Sequence, residues 1–169
     1  MFFVVRNENK AEKQMYKVEA ETLTDYFEAD ALRKSDLKAM DALLRRVAPG
    51  LQRWFYPGVQ TGEAGMQMKM IGYGTTVYQG KGGKVGKWPI VGLALQKNYI
   101  SLYIAADKNG LPVLDSYCGQ LGETRSGQNN FSFVRFAQLD SARLEALLQD
   151  IVEATSGEQG AATSPPLIV

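Results

Sequence analysis

The feature that most constrains the fold is a change of hydrophobic period along the chain. Leu37, Met40, Leu43, Leu44 and Val47 recur at three- and four-residue spacing, which puts one apolar stripe along a helix. Pro49-Gly50 then ends that pattern. Beyond it, Met66, Met68 and Met70 alternate with Gln67 and Lys69, the mark of a half-buried strand. Val91, Leu93 and Leu95 alternate with Gly92, Ala94 and Gln96, and Ile100, Leu102 and Ile104 alternate with Tyr99, Ser101 and Tyr103. These two runs predict a hairpin turning at Lys97-Asn98, with Asn98 supplying a positive φ. A short strand is expected over 131–136, and the helical period returns with Leu144, Leu147, Leu148, Ile151 and Val152 behind Asp140 as cap.

Two shorter helical readings complete the pattern. Thr24 is placed to cap a helix running to about Leu32, and Ser35 to cap the longer helix that follows. Helices first, then antiparallel strands, then a closing helix predict an α+β sandwich with the helices packed on a sheet of about five strands. Long crossovers between strands are lacking, which argues against a doubly wound parallel sheet. The expected organisation is a loosely ordered lead-in over 1–22, one domain over 23–154 and a flexible tail over 155–169, rich in Gly, Ser and Pro.

Composition narrows the chemistry more than the fold. The 169 residues contain no histidine and one cysteine, Cys118. A Ser-His-Asp triad, a Cys-His dyad, a His-ligated zinc and an all-thiolate cluster within one chain are thereby excluded. Any metal would need oxygen ligands. Cys118 is expected to be a buried or half-buried thiol. The net charge is +1, so no global field draws the chain to nucleic acid or anionic lipid, and nucleic acid is not an expected partner. No apolar run approaches the roughly 20 residues that span a bilayer, and a cytoplasmic setting is expected with no membrane partner.

Two constellations carry candidate binding chemistry. Glu21, Asp25 and Glu28 fall at i, i+4 and i+7, within a region holding seven of the eighteen acids between residues 19 and 41. On one helix they would form a carboxylate ridge able to hold an oxygen-loving cation; a solvated helix face is the alternative. The second is the loop Gly80-Lys81-Gly82-Gly83-Lys84-Val85-Gly86-Lys87, whose glycine amides and lysines suit an anion. It is not a P-loop, since position 81 would have to be glycine and position 88 a hydroxyl residue, and they are Lys81 and Trp88. A solvated hairpin loop is its alternative. Tyr73, Tyr78, Trp88 and Tyr103 are expected to line a groove beside Lys81, Lys84 and Lys87, accepting a small molecule or anion. No paired acid and base can be read from spacing, so a binding module is favoured over an enzyme.

Trp54, Gly72-Tyr73-Gly74, Tyr78, the glycine loop closing in Trp88-Pro89, Lys97 ahead of Leu102-Tyr103, Leu121-Gly122 and Ser126-Gly127 follow one another in an order that resembles the YdhG-like domain family. The resemblance spans roughly Leu37 to Val152 and implies a small bacterial α+β domain. One branch of that family is associated with iron delivery and is similar in fold to frataxin. The resemblance therefore implies weakly bound iron on the Glu21, Asp25 and Glu28 surface and an iron-accepting protein as partner. The chain departs from the family pattern in having Glu123 and Gln128 where lysines are common, and Asn129-Asn130 ahead of the last strand.

Overall fold

The computed structural model describes residues 16–156, so the first fifteen residues of the lead-in and the tail beyond Ser156 lie outside the described residues. Helix α1 covers Leu23–Glu28, capped by Thr22 rather than Thr24: the Asp25 N–H donates to Thr22 Oγ1 at 3.1 Å. It stops short of Leu32 because the Asp30 carboxylate accepts from the backbone N–H groups of Leu32 and Arg33 at 3.0 and 3.3 Å. That local turn competes with continued helix. Helix α2 covers Lys34–Val47, with Ser35 inside it and not at its cap. Asp36 does the anchoring, accepting from the Phe136 N–H at 3.0 Å and pairing with Arg135 Nε at 3.3 Å. Ala48 precedes Pro49, which has no N–H to continue the ladder, and the helix ends there.

Among the described residues ten strands follow in chain order: β1 Arg53–Tyr56, β2 Met70–Tyr73, β3 Thr76–Gln79, β4 Val85–Trp88, β5 Val91–Leu95, β6 Ile100–Ile104, β7 Asp107–Lys108, β8 Leu111–Pro112, β9 Arg125–Gly127 and β10 Asn130–Phe133. Six of them form an antiparallel sheet in the order β1-β2-β5-β6-β10-β9. Helix α3, Ser141–Ser156, is the last element among the described residues, with the Arg143 N–H on Asp140 Oδ1 at 3.0 Å as expected for its cap. The protein is thus α+β, and no helix among the described residues is long and apolar enough to cross a membrane.

The β5–β6 hairpin turns at Lys97-Asn98 as predicted, but Asn98 does not carry a positive φ. The positive φ values fall instead on Asn109-Gly110 between β7 and β8, at 54° and 77°, and on Asn129 between β9 and β10, at 63°. Met66 to Lys69 form no strand, because the chain there answers to a side chain: Tyr56 Oη accepts from the Met66 N–H and donates to the Met66 carbonyl, both at 3.1 Å. The alternation nevertheless holds, since Met66, Met68 and Met70 are all buried.

The two faces of the sheet bury different things. On one face, Ile71, Val91, Leu93, Leu95, Ile100, Leu102, Phe131 and Phe133 pack against Leu37, Met40 and Leu44 of α2 and Leu144, Leu147, Leu148 and Ile151 of α3. Each such side chain contributes about 1.5–3 kcal/mol by leaving water. Val18 and Ala20, from the expected lead-in, are buried in the same cluster. On the other face a smaller cluster gathers Tyr56, Met66, Met68, Met70, Trp88, Ala94 and Ala105. Glycines make room there. A Cβ on Gly72 would lie 2.8 Å from Trp54 Nε1, and one on Gly92 only 2.4 Å from Met70 Sδ.

Candidate ligand-binding cleft

Strands β3 and β4 form a two-stranded ribbon separate from the main sheet. Its three-residue loop, Lys81-Gly82-Gly83, takes φ of 75° and 77° at the two glycines, a backbone that side chains disfavour. The Gly80 N–H donates to the Lys84 carbonyl at 2.7 Å and closes the ribbon. Alternation then sorts the side chains. Thr76, Tyr78, Gly86 and Trp88 face the protein, while Val77, Gln79, Val85 and Lys87 face solvent. The inward aromatics hold the ribbon down, with the Trp88 ring centroid 5.6 Å from Tyr78 and 6.2 Å from Tyr56.

Between this ribbon and the segment 57–64 runs an open cleft of about 520 Å³. Trp54, Tyr56, Pro57 and Val59 supply its apolar wall, and Lys84 to Lys87 its opposite side. Trp54 is fixed by its indole N–H on the Gly74 carbonyl at 2.9 Å and stands 5.7 Å from Tyr56 in an edge-on arrangement. Burial pushes the Tyr56 hydroxyl above the ordinary phenol range, so it stays a neutral hydrogen-bonding group committed to Met66. Lys84 Nζ donates to the Gly62 carbonyl, and Lys87 is exposed at the rim. The one carboxylate in the lining, Glu63, accepts from the Gln60 N–H at 3.2 Å. The glycine at 86 is required: a Cβ there would meet the Ala64 carbonyl oxygen at 2.5 Å.

The expected aromatic groove is divided by the sheet. Tyr73 points to the helix face, 1% exposed, with its hydroxyl on Asp41 Oδ1 at 2.6 Å, and it cannot share a groove with Tyr78 and Trp88. Strand pleating puts it there, since its neighbour Gly72 takes the other face. Tyr78 and Trp88 do meet, but as the ribbon's inner packing, with Trp88 buried. Tyr103 is half-buried at the edge of the same cluster, hydrogen-bonded to Ser101, its hydroxyl pushed above the ordinary phenol range by burial. Lys84 and Lys87 line the cleft against the 57–64 segment and not the expected groove, and Lys81 opens the loop at the ribbon's tip. Trp54, Tyr56 and the 57–64 segment were not predicted as lining. A signal for this region exists in the sequence: from Ala64 to Ala106 there is no acidic residue and there are five lysines, so the modest total of +1 conceals +5 here and −4 elsewhere.

The acidic ridge does not form. Helix α1 begins after Glu21, and Asp25 turns back to accept from the Glu21 N–H at 3.3 Å. The Glu21 carboxylate lies 3.4 Å from Lys69 Nζ, and Glu28 pairs with Lys34 at 2.5 Å, which holds its carboxyl below the usual range. Asp30, Asp36 and Asp41 are likewise matched by Arg33, Arg135 and Arg53. Among the described residues no three acidic or thiol side chains stand close enough to hold a metal ion. Cys118, expected to be buried or half-buried, is exposed at the end of the turn Val113–Tyr117, because the buried position there goes to Tyr117. Compared with known proteins, the chain matches no family model, no curated protein and no solved structure.

Proposed function

We propose that this protein is a binding domain for an organic anion, taken in the cleft between β4 and the 57–64 segment. The observation that carries this reading is the pairing of one apolar, aromatic wall at Trp54 and Tyr56 with lysines at 84 and 87 in an acid-poor part of the chain. A carboxylate or phosphate meets the ammonium groups while an apolar body lies on the indole, the arrangement of few polar anchors in a mostly apolar cleft. The α+β architecture supports membership in the YdhG-like group as part of the same proposal. Iron delivery finds no ligand set in the expected acids, each of which is engaged within the fold.

The test is a titration of the protein, observed by ¹H–¹⁵N NMR, with phenylacetate, phenyl phosphate and N-acetylglutamate. Binding should move the Trp54 indole and the Lys84–Lys87 amides together. Removing one lysine, in Lys84→Ala or Lys87→Ala, should weaken binding by about two- to fivefold, the worth of an exposed ion pair. Trp54→Ala should lose the preference for the aromatic anions. Shifts confined to other surfaces, or affinity indifferent to both lysines, would remove this reading.

A further inference from the structure

We infer that the ligand of this cleft is an extended acidic segment of another protein, which adds as a third strand along the free edge of β4. The inference rests on the anion-binding reading and names the chemical class of its ligand. Lys84, Val85, Gly86 and Lys87 all line the cleft, although successive residues of a strand point to opposite faces. Four consecutive residues can line one cleft only if it runs alongside the strand and not over one face of it.

The backbone of β4 is set up for such pairing. The bond from the Gly80 N–H to the Lys84 carbonyl makes 80 and 84 a hydrogen-bonded pair, and Tyr78 opposite Gly86 is the next one of that kind. The intervening residues Val85 and Lys87 therefore turn their N–H and C=O groups away from β3. Among the described residues no third strand pairs with β4, and these groups lie on the side of the strand that borders the cleft. An unpaired strand edge is a template for an extended chain, with main-chain hydrogen bonds giving affinity and alternate side chains giving specificity.

Charge and apolarity specify the incoming segment. On the outer face Lys87 lies beside Val77 and Val85, which are 49% and 62% exposed. An added strand would set one side chain opposite Lys87, where a carboxylate is preferred, and one opposite Val85, where an aliphatic group is preferred. Its other side chains would turn inward toward Trp54 and Lys84. The stretch from Ala64 to Ala106, with five lysines and no acid, gives the same polarity, and the one carboxylate lining the cleft, Glu63, is turned to the Gln60 N–H.

The experiment uses the full-length protein and the acetylated, amidated peptide Leu-Glu-Glu-Val-Glu, whose second and fourth residues share one face and can meet Lys87 and Val85, with N-acetylglutamate as the single-residue anion. The peptide should bind more tightly than N-acetylglutamate and slow hydrogen exchange at the Val85 and Lys87 amides. Methylating the peptide nitrogens that face β4 should weaken it by about tenfold for the pair of hydrogen bonds removed. A peptide with lysine in place of glutamate should not bind. If N-acetylglutamate binds as well as the peptide, and methylation changes nothing, strand addition is wrong and the anion cleft stands. If neither perturbs the cleft, both readings fall.

Discussion

At the scale of single residues, the most consequential side chain is Tyr73. Its phenol lies among apolar residues of the helix face, and its hydroxyl donates to Asp41, 2.6 Å away, which Arg53 also holds at 2.8 Å. Charge, acceptor and donor are satisfied together, so removing one leaves the others short. Tyr73→Phe should lower the unfolding free energy by about 1–3 kcal/mol, the cost of leaving a buried polar partner incomplete, as read from a urea titration. Because Tyr73 lies on the face opposite the cleft, ligand shifts at Trp54 and Lys87 should persist in that variant. Their disappearance would mean that the two faces are coupled.

At the scale of elements, the ribbon β3–β4 is the part whose placement matters for binding. Two strands alone are marginally stable, so this ribbon holds its position through Tyr78, Gly86 and Trp88 on its inner side. Gly86→Ala would force its Cβ against the Ala64 carbonyl, a backbone atom that cannot swing aside. The expected result is a loss of about 1–3 kcal/mol, as for other overpacked sites. Tryptophan emission should report greater solvent exposure of Trp88, and far-UV circular dichroism should change little, since the six strands of the main sheet pair with one another and not with the ribbon. The helical stripes of α2 and α3 were legible residue by residue, because burial of Leu37, Met40, Leu43 and Leu44, or of Leu144, Leu147, Leu148 and Ile151, repeats at a local period. Strand β1 was not legible. Its residues Arg53 to Tyr56 show no clean alternation, as Trp54 and Tyr56 pack under the ribbon while Phe55 meets the helix face.

At the scale of the whole molecule, five tyrosines have hydroxyls pushed above the ordinary value of 10: Tyr26, Tyr56, Tyr73, Tyr103 and Tyr117. Burial is the largest cause in each, and for Tyr117, pushed up to about 12, the neighbouring Asp150 carboxylate adds to it. A group with a raised folded-state value stabilises fully below its unfolded value and loses that contribution as pH rises toward the folded one. Stability should therefore fall steadily above about pH 10, where unfolded tyrosines begin to ionise while the folded ones resist. The melting temperature between pH 9 and 12 measures this, and absorbance at 295 nm should show phenolate appearing with unfolding. A melting temperature indifferent to pH over that window would contradict it. Charge is also organised at this scale, with a positive excess between Ala64 and Ala106 while Asp30, Asp36 and Asp41 are matched by Arg33, Arg135 and Arg53.

The amino-acid sequence alone determined the α+β class, the two amphipathic helices, the β5–β6 hairpin and the Asp140 cap, because helix and strand periods are set by neighbours a few residues apart. It also determined, through the absence of histidine and of a second cysteine, which chemistries are closed to the chain. Only the tertiary structure decided that Tyr73 lies on the opposite face from Trp88, that the acids of residues 21–41 spend their charge on lysines, arginines and backbone, and that β4 stands near Trp54 with an edge that no described strand covers. Those outcomes depend on contacts between residues tens of positions apart, such as Tyr73 with Asp41 or Gly86 with Ala64, and such contacts leave no periodic trace in the chain.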